Sequence, residues 1–158
     1  MKKELNILLL CTALWCGGIV VAPAAEGTWF SDVLYRLFSA VCHQFGSRSF
    51  HLGDEPFGVC IRCTSIYSSF LTVLIALRFS SRLRVQKWNT SVLLFITASP
   101  VAIDGILSLF HIIEATTISR IITGSLFGAG CALLLHTVLC ESIQSLITLS
   151  QRNYEFKT

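Results

Sequence analysis

The sequence predicts an all-α, polytopic membrane protein: about four transmembrane helices, one interfacial amphipathic helix and an exported Cys/His loop. Three observations carry that prediction. The chain is 53% hydrophobic and 13% charged, about half the charge that soluble domains carry. Its mean hydropathy is +0.69. Four stretches reach or approach the length of about 20 apolar residues that crosses a bilayer. The same composition excludes disorder, collagen-like chains and coiled coils. No repeat or low-complexity tract divides the 158 residues, so 1–158 reads as a single integral-membrane domain.

The first span, 5–22, follows the basic pair Lys2-Lys3. Ala22-Pro23-Ala24 also resembles the small-residue cleavage site of a signal peptide. The apolar run is longer than the roughly 7–15 residues of a signal core, which favours an uncleaved helix, and either way the chain that follows is exported. Residues 26–63 form the exported segment. Within it, Phe30, Val33, Leu34, Leu37, Phe38 and Val41 recur at helical spacing, with Ser31, Asp32, Arg36 and Ser39 largely opposite. That pattern predicts an amphipathic helix at the membrane interface. From Phe45 to Gly58 turn formers and charges dominate, so an ordered loop is expected there.

The second span is 64–79. The third, 92–113, is interrupted by Pro100 and Asp104, and the fourth is 118–140. Gly124, Gly128 and Ala132 give the fourth span a small-residue stripe. Such a stripe lets helices approach closely, within the bundle or in a homo-oligomer. Cys11, Cys16, Cys131 and Cys140 lie in spans and behave as small apolar side chains. His111 and His136 stand near span ends as interfacial hydrogen bonders.

Basic residues set the orientation. With the N-terminus inside, the inner segments hold Lys2, Lys3, Arg78, Arg82, Arg84, Lys87, Arg152 and Lys157, against Arg36, Arg48, Arg62 and Arg120 outside. The formal charge of +3 is therefore a topological signal; the partner it implies is the lipid bilayer, not nucleic acid. The cluster Arg82, Arg84, Lys87 fixes orientation and can also touch anionic headgroups. The location expected is the cytoplasmic (inner) membrane, with the Cys/His loop on the extracytoplasmic side.

Cys42-His43-Gln44, Arg48-Ser49-Phe50, Cys60-Ile61-Arg62-Cys63 and Tyr67, followed by Pro100, Asp104-Gly105, Arg120 and Thr123-Gly124, resemble the signature of a bacterial and archaeal family of predicted membrane proteins. That family is catalogued as domain-of-unknown-function family 2085. The resemblance covers about residues 35–130, and Ser65 stands where the family pattern leads us to expect glycine. It implies a small multipass membrane protein and no particular activity.

Cys42, His43, Cys60 and Cys63 are candidate metal ligands, with zinc the expected ion. Soft thiolates and imidazole suit it, and a CxxC spacing lets two sulfurs face one ion. Adjacent residues on a helix diverge by about 100°. The sharper set is therefore Cys42, Cys60 and Cys63, with His43 or His51 as the fourth ligand. A second possibility is thiol redox: a CxxC at a helix N-terminus beside Arg62 has a lowered thiol pKa and can exchange with Cys42. A static disulfide such as Cys42–Cys60 is a third, although the odd number of exported cysteines counts against a framework made only of disulfides. A c-type haem is disfavoured because Thr64 follows Cys63.

Arg48, Arg62, Asp104 and Arg120 are the further polar-site candidates. An unpaired charge at Asp104 costs about 2.5–3.5 kcal/mol in mid-membrane, and Arg120 is the expected partner. Such a pair could line an outward-opening cavity that binds an anionic headgroup or relays a proton, or could fix how spans three and four pack. Three functions stay open at this stage. The first is metal binding by the exported cluster. The second is an enzyme, either a thiol oxidoreductase or a lipid-acting enzyme built on Asp104 and Arg120. The third is a small transporter or partner subunit. No HExxH, GxSxG, P-loop or dinucleotide motif is present.

Overall fold

The computed structural model describes residues 2–79, 90–110 and 115–155, with side chains over 3–79, 91–110 and 115–139. The long helices are α1 (Lys2–Ala24), α3 (Ile61–Phe79), α4 (Thr90–Leu109) and α5 (Thr117–Glu155). Each contains a stretch long and apolar enough to cross a membrane, ending at Leu139 in α5. Between α1 and α3 lie the short helix α2 (Trp29–Ser39), a 3-10 turn (Gly46–Arg48) and the strands β1 (Ser49–Leu52) and β2 (Glu55–Cys60). The expected all-α polytopic architecture holds, with one small hairpin added. The end of the predicted third span at 111–113, His111, the basic cluster Arg82, Arg84, Lys87, and Lys157 lie outside the described residues, as do the side chains of Cys140 and Arg152.

The 3-10 turn and the hairpin take the place of the loop expected from Phe45 to Gly58. β1 and β2 pair antiparallel, Ser49 with Cys60 and Leu52 with Glu55, and the register is irregular between Ser49 and His51. Gly53 opens the two-residue turn at φ +65°, a left-handed conformation that costs glycine nothing. Turn formers and charges hide the strand signal in the sequence, and the pairing is made by the backbone.

The expected amphipathic helix forms, and it has two apolar sides. Thr28 caps it by accepting the Ser31 N–H at 3.3 Å, and Ser31 Oγ donates to the Ala22 carbonyl at 2.7 Å. These bonds fold α2 back onto the end of α1. Phe38, 1% exposed, then packs with Ile19 of α1, Val59 of β2 and Cys42. Phe30, Val33, Leu37 and Val41 stay exposed beside Asp32 and Arg36, as suits a helix at headgroup level.

α3 and α5 approach closely because α5 carries glycine where they cross. A Cβ at Gly124 would stand 2.7 Å from the Arg62 carbonyl oxygen, and one at Gly128 would overlap the Ile66 carbonyl oxygen and Ser69 Oγ. Ser65, buried in α3, faces Gly124, so the close approach is supplied from the α5 side. The Gly124/Gly128 stripe is thus covered by α3 of the same chain. At the opposite end of α3, Arg78 Nε donates to Asn6 Oδ1 of α1 at 2.8 Å. The starts of α3 and α5 and the ends of α1 and α4 therefore meet at the hairpin end of the bundle.

Candidate metal centre

The cluster assembles where two local structures stop and a third begins. α2 ends in a turn in which Val41 and Cys42 both donate their N–H to the Phe38 carbonyl, at 3.1 and 3.0 Å. Gln44 then takes φ +50°, uncommon for a residue with a side chain. Its amide nitrogen donates to the carbonyls of Tyr35 (2.8 Å) and Gly58 (2.7 Å), clamping α2 to β2. A hydrogen bond from the Tyr35 hydroxyl to the Pro56 carbonyl reinforces the clamp. β2 runs out at Cys60, and α3 starts at once, placing Cys63 in its first turn.

The result is three sulfurs, from Cys42, Cys60 and Cys63, all within 4.8 Å of one another. Cys42 is 8% exposed, packed among Ile19, Phe38 and Val59. Its sulfur accepts the Cys60 backbone N–H at 3.2 Å. Hydrogen bonds from the Cys60 and Cys63 thiols hold the Cys42 thiol well below its ordinary pKa, outweighing the opposing effect of burial. The pocket therefore stabilises at least one thiolate, the form that ligates metal.

The donor set fits a thiophilic ion. Three thiolates on a tetrahedral zinc, each at about 2.3 Å, lie about 3.8 Å apart, so sulfurs already within 4.8 Å need only small side-chain rotations. The six described cysteines, Cys11, Cys16, Cys42, Cys60, Cys63 and Cys131, are free thiols, and the Cys42–Cys60 clamp is not formed. His43 lies outside the sulfur group: its ring is parallel to that of Phe45, centroids 6.1 Å apart. His51 is exposed on β1 and also lies outside the group. Successive side chains diverge, so delivering Cys42 inward turns His43 out.

The expected Asp104–Arg120 pair is replaced. Asp104 Oδ2 is ion-paired with Arg62 of α3, and Ser119 Oγ donates to Oδ1 at 2.7 Å. The reason is reach: Arg62 projects from the start of α3 towards α4, whereas Arg120 turns into a separate cavity of about 330 Å³ that it lines with Arg48. Arg48 also sits over the Phe45 ring, 5.6 Å from its centroid. The spacing in sequence identifies the four polar residues but not which of them pair. Gln44, the clamp, has no signal beyond its place in the Cys42-His43-Gln44 element.

The profile of a family described as predicted membrane protein matches residues 42–134, a range containing the whole cluster and the Arg62–Asp104 pair. An uncharacterised protein of Methanocaldococcus jannaschii is 32% identical over 136 residues, 81% of this chain and 87% of that protein. An uncharacterised protein of Methanothermobacter thermautotrophicus is 32% identical over 98 residues, 61% of this chain and 86% of its own length. No solved structure matches the chain.

Proposed function

The chain belongs to domain-of-unknown-function family 2085 of predicted membrane proteins, and from that premise we propose that it is a multipass membrane protein carrying a transition-metal centre, zinc in the first instance, on Cys42, Cys60 and Cys63. The observation that carries this is the convergence of three free sulfurs within 4.8 Å, one of them buried. They come from three separate backbone segments: the turn after α2, the end of β2 and the start of α3. An ion bound there would cross-link those segments and supply Lewis acidity at whatever fourth position a water or an incoming donor fills. His43, one residue from Cys42, is the chain's own candidate for that position.

We further read the cluster as extracytoplasmic in the cytoplasmic membrane, with the N-terminus inside. Support comes from the sequence: eight of the twelve Lys and Arg residues fall in the segments expected inside. A membrane-impermeant thiol reagent applied to intact cells after treatment with an impermeant chelator tests the side: labelling of Cys60 and Cys63 from outside is expected, and labelling only after lysis overturns the orientation.

Elemental analysis of the purified full chain tests the centre. One equivalent of zinc per chain is expected, lost in a Cys60→Ser/Cys63→Ser variant and kept in Cys131→Ser. The hydrogen-bonded thiolate at Cys42 also supports a second reading, thiol–disulfide exchange. A metal-free protein that cycles reversibly through a Cys60–Cys63 disulfide would replace the metal reading with that one. A protein with neither property overturns both.

A further inference from the structure

Beside the sulfur cluster lies a cavity of about 330 Å³ between the 3-10 turn, the start of α3, the end of α4 and the start of α5. Its polar lining is Arg48, Arg120 and the hydroxyls of Ser47, Ser108 and Thr117, with no acidic residue among the described lining residues. Two guanidiniums lining one cavity repel each other, and Arg120 is partly buried, so the arrangement calls for a counter-charge. Asp104 does not fill that role: both its oxygens are engaged, one by Arg62 and one by Ser119. The Nε of Arg120 is buried with no hydrogen-bond partner among the described residues.

We propose that this cavity binds a phosphate group, held by the Arg48 and Arg120 guanidiniums and the hydroxyls of Ser47, Ser108 and Thr117. Planar guanidinium forks match the paired oxygens of a phosphate, and hydroxyl donors can take the rest. Only Ile61 of the lining belongs to the Cys60–Cys63 segment, so the site is adjacent to the sulfur cluster and independent of it. The phosphate can arrive as free orthophosphate or on the headgroup of an anionic lipid; the residues that hold it are the same.

The test uses the purified full chain in uncharged detergent. One arm measures orthophosphate binding by equilibrium dialysis. The other reconstitutes the chain in phosphatidylcholine discs with or without phosphatidylglycerol and reads retained lipid by native mass spectrometry. Saturable orthophosphate binding, weakened about tenfold or more in Arg120→Gln and in Arg48→Gln, supports the site with a soluble source. Selective phosphatidylglycerol retention, lost in the same variants, supports it with a lipid source. Arg48 is exposed, so Arg48→Gln reports on binding even where Arg120→Gln fails to fold. Absence of both signals, or signals unchanged in the variants, overturns the proposal.

Discussion

Arg62, between the two cysteines of the Cys60–Cys63 pair, is ion-paired with Asp104 of α4. Because Ser119 of α5 donates to the other oxygen of the same carboxylate, three spans converge on Asp104. One of the two residues that separate Cys60 from Cys63 in sequence is thus anchored in the bundle, and the cluster's geometry depends on helix packing as well as on the hairpin. Asp104 is therefore an organising group beneath the cluster, held from α3 and α5 together.

Asp104→Asn is expected to destabilise the bundle by about 2–4 kcal/mol, towards the low end of the range for breaking a buried pair because the side chains keep 23% and 15% exposure. The Arg62→Gln/Asp104→Asn double variant should lose less than the sum of its two singles, by about 1–3 kcal/mol of coupling. Thermal unfolding in detergent measures both. Additive losses would mean that the two side chains do not stabilise one another.

Gly128→Ala should cost about 1–3 kcal/mol, since its new methyl would overlap the Ile66 carbonyl oxygen, a backbone atom that cannot rotate away. Gly17→Ala in α1 meets nothing within 4 Å and should gain up to about 1 kcal/mol of helix propensity. The two unfolding midpoints should shift in opposite directions. Equal shifts would contradict the α3–α5 crossing described above.

Gln44→Ala removes two hydrogen bonds between α2 and β2 while keeping the left-handed backbone, for a loss of about 1–3 kcal/mol. Because the clamp holds the turn that delivers Cys42, zinc content should fall along with stability. Gln44→Glu, which keeps the size but has no amide donor, should behave like the alanine variant. Full zinc retention in both would detach the clamp from the cluster.

The parts visible in sequence are those set by local composition. Four apolar runs locate four spans, and the CxxC spacing with an upstream cysteine finds the three sulfurs, because each signal is contained in a short stretch of chain. What escapes is set by partners distant in sequence. The hairpin is a pairing of Ser49–Leu52 with Glu55–Cys60 whose side chains carry little alternation. Arg62 rather than Arg120 reaches Asp104 because of where α3 meets α4, 42 residues apart in the chain. The apolar residues of α2 read as one stripe, yet Phe38 packs inside while Leu37 faces out; the folding back of α2 onto α1 and β2 decides which is which.

That division of α2 yields a prediction about how the hairpin end holds the cluster. Phe38 lies 1% exposed, edge-on to Trp15 with ring centroids 5.1 Å apart, and its ring fills the space a Cβ at Gly58 would need. Phe38→Ala leaves a cavity among α1, α2 and β2 and should cost about 3–5 kcal/mol. Since Cys42 packs against the same side chain, the sulfur group should loosen and zinc should be lost more readily to a chelator. Leu37→Ala, at a position 50% exposed, removes a similar amount of apolar surface from the outer face and should leave both the unfolding midpoint in detergent and the chelation rate near those of the parent. Similar chelation rates in the two variants would show that the core beneath α2 does not position Cys42.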